Sequence, residues 1–186
     1  MGGACVNVAA VERRLITWTD IERLVGIVLE QLPADWDNLL VITRGGMVPA
    51  CLISERTGLR NILAAAVVFY EGQSRALPEP RFVQFPDDRH VAGRRILVVD
   101  DVWDSGSTIV AVRDRLRASG ATVATCVLHY KPGHSRFPGD QPDFYAEKTD
   151  GWIVYPWDPS RPLARALGKR AGPRASEGER HGYRAP

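Results

Sequence analysis

The chain is expected to fold as an α/β protein, a central parallel sheet flanked by helices, and three observations lead there. Aliphatic runs recur at Leu39–Ile42, Ile62–Tyr70, Ile96–Val99 and Thr122–Tyr130. Runs of this kind are strands buried on both faces. Segments with apolar residues at helical spacing separate several of them. Two of the strand-to-helix junctions carry glycine, Gly45-Gly46 and Gly106. That is how a parallel sheet exposes backbone N–H groups at the carboxyl ends of its strands.

At 186 residues the chain suits one domain with a full core, expected over residues 1–168. Apolar content of 45% and charged content of 25% are those of a globular protein. No apolar run approaches the roughly 20 residues that span a bilayer, so no membrane partner is expected. The opening residues lack the charged-then-apolar order of a signal peptide, and a cytoplasmic location is the expectation. Cys5, Cys51 and Cys126 are scattered and form no C-x-x-C pair, so neither a disulfide framework nor a zinc site is indicated. The net charge of +2 gives no argument for nucleic acid. Its basic excess lies in Lys169, Arg170, Arg174, Arg180 and Arg184, set against Glu177 and Glu179. That stretch, 169–186, is rich in Gly, Pro and Ala and is expected to be a disordered tail.

In order along the chain, Leu15-Ile16-Thr17 reads as a short strand or an extended lead-in. Thr19 or Asp20 then caps a helix, with Glu22 at capping-box spacing from Thr19. Ile21, Leu24, Val25, Val28, Leu29 and Leu32 give that helix one apolar face, and Pro33 ends it. The strand Leu39–Ile42 runs into Thr43-Arg44-Gly45-Gly46 and then a helix from about Val48 to Thr57, with Pro49 in its first turn. Two glycines free this turn to present N–H groups to an anion, and Arg44 adds a fixed positive charge. The strand Ile62–Tyr70 leads to a polar loop, Glu71 to Pro80, broken by Gly72, Pro78 and Pro80. Arg81 to Phe85 returns as an edge strand.

The chemistry concentrates in Ile96-Leu97-Val98-Val99-Asp100-Asp101-Val102-Trp103-Asp104-Ser105-Gly106-Ser107-Thr108. Four aliphatic residues end in two acids, followed by a polar turn and a helix from Ile109 to Ser119. Unpaired N–H groups and the positive end of the helix dipole make Ser105, Gly106, Ser107 and Thr108 a phosphate site. Two acids beside it suit the hydroxyls of a phosphorylated ribose, or a metal. The strand Thr122–Tyr130 ends in Lys131-Pro132, which aims an ammonium at the ligand crevice. Phe144–Lys148 is a short strand. In the apolar run 152–157, Trp157 reads as core, while Trp152 follows a glycine and is free to lie over a planar ring. Ser160 to Leu167 reads as a last short helix.

This signature resembles that of the type I phosphoribosyltransferases, with Trp103 in place of the usual smaller aliphatic residue. The six residues from Ile96 to Asp101 also resemble the first strand of a receiver domain. That motif opens its domain and needs a later strand ending in a lone Asp, which is not found here. Thr43–Ala50 resembles the pyrophosphate loop of the xanthine-guanine phosphoribosyltransferases. Lys131-Pro132 and the Trp-Ile and Pro-Trp-Asp elements, from Trp152-Ile153 to Asp158, are similar to those of the same branch.

The resemblance implies a type I fold with a small base-covering hood. It implies transfer of a 5-phosphoribosyl group from phosphoribosyl pyrophosphate to a 6-oxopurine, with magnesium as cofactor. Asp100 and Asp101 would hold ribose hydroxyls, directly or through metal-bound water, and Asp104 would act as general base. Asp104 to Thr108 would cradle the 5′-phosphate, and Arg44, Gly45 and Gly46 the pyrophosphate. Lys131, Trp152 and Ile153 would meet the base, Lys131 because an ammonium donates to a carbonyl oxygen and not to an amino group. Tyr70 would belong to a closing loop that usually carries Ser-Tyr and here reads Phe69-Tyr70. The Thr43–Arg44 peptide would be cis, and the chain would self-associate. Two alternatives stay open: action on another base, and a non-catalytic nucleotide-sensing regulator. A regulator that binds nucleic acid would want an added helix-turn-helix or a basic face, and neither is visible outside the tail.

Overall fold

In the computed structural model, which describes residues 13–71 and 75–158 and side chains outside 70–79, the chain runs as follows. It begins β1 (Arg13–Leu15), α1 (Trp18–Leu29), β2 (Asn38–Ile42), α2 (Met47–Thr57), β3 (Ile62–Glu71) and β4 (Arg75–Gln84). It continues β5 (Arg95–Trp103), α3 (Ser107–Ala118), β6 (Thr122–Tyr130), β7 (Phe144–Lys148) and β8 (Trp152–Val154). Six strands form one sheet in the order β4-β3-β2-β5-β6-β7, parallel throughout except for the β3–β4 pair. The expected α/β architecture is present.

Alternation along the central strands decides the layers. Leu39, Val41, Leu97 and Val99 face Ile21, Leu24, Val25 and Val28 of α1 and Ala50 and Ile53 of α2. Leu40, Ile42, Ile96 and Val98 face the other way, toward Ile109, Val112 and Leu116 of α3. Each fully buried aliphatic side chain is worth roughly 1.5–3 kcal/mol, so two apolar layers clamp β2 and β5 between them. No helix among the described residues is long and apolar enough to cross a membrane.

β1 and β8 pair in parallel as a separate two-stranded sheet, the hood. It is tied down electrostatically. Glu147 on β7 accepts from Arg14 of β1 at 2.7 Å and from Arg23 of α1 at 2.9 Å.

Four sequence expectations change. The first helix starts at Trp18 because Thr17 is its cap: the Thr17 hydroxyl accepts from Asp20 N, and the Asp20 carboxylate accepts from Thr17 N. The capping box is therefore Thr17 with Asp20, not Thr19 with Glu22, since Asp at the third helical position reaches back as Glu does. The loop expected at Glu71 to Pro80 is replaced by a hairpin, with β3 reaching Glu71 and β4 starting at Arg75. Pro78 and Pro80 are tolerated because β4 is the sheet edge and its ladder shifts register between the Tyr70↔Ala76 and Val68↔Arg81 pairs. The signature strand does not stop at the two acids: β5 stays paired to β6 through Val102↔His129 and Trp103↔Tyr130. Fourth, Trp157 packs against the core as expected but is only half-buried, its other side lining the crevice. The suggested helix at 160–167 and the basic tail lie outside the described residues.

Candidate active site

The crevice forms where β2 leaves the sheet. Its ladder to β5 ends at Val41↔Val99, while the β5–β6 ladder continues to Trp103↔Tyr130. Asp100 and Asp101 therefore sit on a strand paired on one side and open on the other. The chain leaving β2 folds across that gap as Thr43-Arg44-Gly45-Gly46, and the Thr43–Arg44 peptide is cis. A crevice of about 750 Å³ results, lined by Arg44, Gly45, Asp101, Tyr155, Trp157 and Asp158 among others. A smaller cavity of about 290 Å³ lies by the C-terminal ends of α1 and α2 and has no charged lining, so it offers no comparable chemistry.

Gly45 is required by close approach. A Cβ there would stand 2.5 Å from Asp101 Oδ1 and 2.7 Å from Asp100 Oδ1. Asp100 Oδ1 also accepts the Asp101 backbone N–H at 2.9 Å. Burial, then the Asp101 charge, pushes the Asp100 carboxyl well above the usual carboxylate range. Burial raises Asp101 too, opposed by its bond from Trp157, whose Nε1 lies 3.4 Å from Oδ2. The pair is short of positive charge. Arg44 is exposed at the mouth, with no ion pair among the described residues.

The turn after β5 rests on Trp103, which is completely buried and donates Nε1–H to Ser135 Oγ at 3.2 Å. The indole fills the space behind the Ser105–Thr108 turn, and this fixes the residue at 106. Gly106 has φ 77°, and any Cβ there would run into the Trp103 ring. It caps α3 without a side-chain bond, leaving first-turn N–H groups for an anion. Ser105 and Ser107 bond one another through their hydroxyls at 3.2 Å.

Across the crevice mouth, Lys131 is buried to 6% exposure just past the end of β6, and its N–H donates to Trp103 O. Its Nζ lies 3.6 Å from Asp104 Oδ1 and 6.0 Å from the centre of the Trp152 ring. Trp152 is exposed, open for a planar ligand. Ile153 packs its side chain against the apolar cluster of Ile16 and Ile21. Tyr70 lies on β3, and its side chain is outside the described residues.

Three contributors escaped the sequence reading. Tyr155 donates its O–H to the Asp101 carbonyl at 2.9 Å and stacks on Trp157 with ring centres 4.7 Å apart. Burial and the two aspartates push its phenol well above its ordinary value, so it remains a donor. His129, fully buried, contacts the Tyr155 oxygen through Nδ1 at 2.9 Å. With that hydroxyl hydrogen spent on Asp101, Nδ1 carries the proton of the His129–Tyr155 bond. Burial lowers the His129 pKa to about 4 against the pull of Glu147, so the ring is neutral near pH 7. The third is His134, whose Nδ1 lies 2.8 Å from Asp104 Oδ1. Its only signal was its place three residues after Lys131 in a Gly- and Ser-containing turn.

The phosphoribosyl transferase domain model matches residues 8–162. The chain is 32% identical over 163 residues to the xanthine-guanine phosphoribosyltransferase of Gluconobacter oxydans, covering 83% of this chain and 92% of that protein. It is 32% identical over 149 residues to that of Idiomarina loihiensis, covering 77% and 85%. Among solved structures it is similar to the purine phosphoribosyltransferase of Pyrococcus horikoshii, with TM-score 0.69, 28% identity and coverage of 78% and 94%. It is also similar to a Neisseria gonorrhoeae protein with bound ppGpp, with TM-score 0.70, 25% identity and coverage of 85% and 96%.

Proposed function

The chain belongs to the phosphoribosyl transferase family, and on that footing we propose that it transfers the 5-phosphoribosyl group of phosphoribosyl pyrophosphate to a 6-oxopurine. The products are a nucleoside monophosphate and pyrophosphate, a purine-salvage reaction in the cytoplasm. The observation that carries this reading is the pair of half-buried carboxylates packed against the Gly45 backbone. Those carboxylates can accept from ribose hydroxyls, and the loop that carries Arg44 and Gly45 lies directly against them.

As the anomeric C–O bond breaks, positive charge builds on the ribose and negative charge on the pyrophosphate. Positioning and electrostatics then do most of the work. Asp100 and Asp101 would hold the ribose hydroxyls. Arg44 and the backbone at Gly45 and Gly46 would take the pyrophosphate. Ser105 to Thr108 would take the 5′-phosphate. Lys131 would donate to the exocyclic oxygen of the base beneath the Trp152 ring, and Asp104 would accept the purine N–H proton.

The donor set fits magnesium. Two adjacent carboxylates lack a counter-charge, and no group of three or more His, Cys, Asp or Glu is gathered for a metal among the described residues. That is the pattern of an ion that takes most ligands from substrate phosphate and water. Bound at Asp100 and Asp101, directly or through water, magnesium would supply positive charge against the leaving group.

The test is nucleotide formation from phosphoribosyl pyrophosphate, magnesium and a panel of xanthine, guanine, hypoxanthine, adenine, orotate and uracil. Turnover of the 6-oxopurines alone is expected, and it should be lost in a folded Asp100→Asn, Asp101→Asn double variant. Preferred turnover of adenine or a pyrimidine would replace the base assignment, and no turnover of any base would remove the enzyme reading.

A further inference from the structure

We propose that His134 is a positioning residue for proton transfer, holding one oxygen of the Asp104 carboxylate so that the other faces the purine; this rests on the reading of Asp104 as general base. The Asp104 side chain is 54% exposed, and a carboxylate that open to solvent turns freely unless something fixes it. Among the described residues two groups reach it, and both fall on the same atom. His134 Nδ1 is 2.8 Å from Oδ1, and Lys131 Nζ is 3.6 Å from Oδ1. A carboxylate only accepts, so the hydrogen of the shorter contact belongs to Nδ1. Oδ2 keeps its lone pairs for the substrate. With the His134 side chain 48% exposed, the attraction adds little to stability. What the contact fixes is orientation.

The turn that carries His134 is pinned from both sides of the site. Its own N–H donates to Lys131 O at 3.2 Å. Gly133 N–H donates to Asp150 Oδ1 at 2.9 Å, in the loop that enters the Trp152 strand. Arg136 N–H donates to Ser105 O at 3.0 Å, in the phosphate turn. The imidazole is thus held between the base-stacking side and the phosphate side.

In the reaction the purine N–H bond breaks and its electron pair stays on nitrogen to form the bond to the anomeric carbon. The pair of the anomeric C–O bond leaves with pyrophosphate. The proton arrives on Asp104 Oδ2 and passes to solvent at that exposed edge. His134 keeps its own proton throughout.

Steady-state kinetics of His134→Ala, His134→Asn and Asp104→Ala, together with His134→Ala in the Asp104→Ala background, test this. An asparagine amide places an N–H near the position of Nδ1 without titrating. General-base catalysis contributes about 10²–10⁴-fold, and a misaimed base should forfeit roughly ten- to a hundredfold of that in kcat. His134→Ala should show that loss, with the KM for phosphoribosyl pyrophosphate nearly unchanged. His134→Asn should recover most of it, and His134→Ala should cost nothing further once Asp104 is gone. Full kcat in His134→Ala beside a collapsed Asp104→Ala would overturn the proposal and leave the base assignment standing. Equal losses in Ala and Asn variants, or an undiminished loss without Asp104, would also overturn it. Near-normal turnover in Asp104→Ala would instead remove the base assignment itself.

Discussion

Replacing Asp100 by Asn should stabilise the ligand-free protein while removing its activity. Burial and the Asp101 charge both raise the Asp100 carboxyl above its ordinary value of 3.8. Below that value both folded and unfolded chains hold the proton, and nothing is lost. As the pH climbs past it, the unfolded chain ionises more readily than the folded one, so stability falls until the folded carboxyl has also titrated. The amide is nearly isosteric, and its oxygen can still accept the Asp101 N–H. The magnitude follows from the geometry around Gly45. Oxygens that both lie within 2.7 Å of its absent Cβ are at most about 5 Å apart. Two charges at that distance repel by roughly 3 kcal/mol at an effective dielectric constant of about 20. Screening from the open side reduces this, and roughly 1–2 kcal/mol should survive, or about 2–8 °C in the unfolding midpoint. Circular dichroism melts with a chelator present, at pH 8 and pH 4, read it directly. The Asn variant should melt higher at pH 8, and the gap should close at pH 4. A folded Asn variant that melts at or below the unchanged protein at pH 8 would refute the reasoning.

Three other substitutions follow from the same geometry. Lys131→Ala removes a charged donor worth about 1.5–3 kcal/mol, so the KM for a 6-oxopurine should rise roughly ten- to a hundredfold while that for phosphoribosyl pyrophosphate holds; equal rises would place Lys131 elsewhere. Tyr155→Phe strands the Asp101 carbonyl and the His129 N–H in the interior, and a loss of about 1–3 kcal/mol in denaturant unfolding is expected. His129 titrates at about 4 when folded against 6.5 when free. Its contribution is intact above pH 6.5 and is lost as the pH falls toward 4, by roughly 3 kcal/mol in all. Melting His129→Leu across that window should show a shallower acid decline than the unchanged protein, and an identical slope would assign the decline to other groups.

The central strands, the helices and the two glycine-bearing strand-to-helix turns were legible in one dimension, because those follow from local periodicity and from glycines between a strand and a helix. Phe144–Lys148 and Thr122–Tyr130 lie where the apolar pattern places them. The acids of the signature, the Arg44 loop and Lys131 were legible as residue types at strand ends. Tertiary structure decided what touches them. Tyr155 reaches Asp101 across 54 positions of sequence, and His134 reaches Asp104 across 30. No periodicity encodes such a meeting, which exists only once β6, β7 and the hood have closed around the end of β5. The same holds for Trp157: its ring packs against the core as the sequence suggests, but its place beside the Asp101 carboxylate at the crevice comes only from the Tyr155 stack. It holds for Pro78 and Pro80 as well. They read as a loop in one dimension and become part of an edge strand because, among the described residues, no strand on the outer side needs their missing N–H groups.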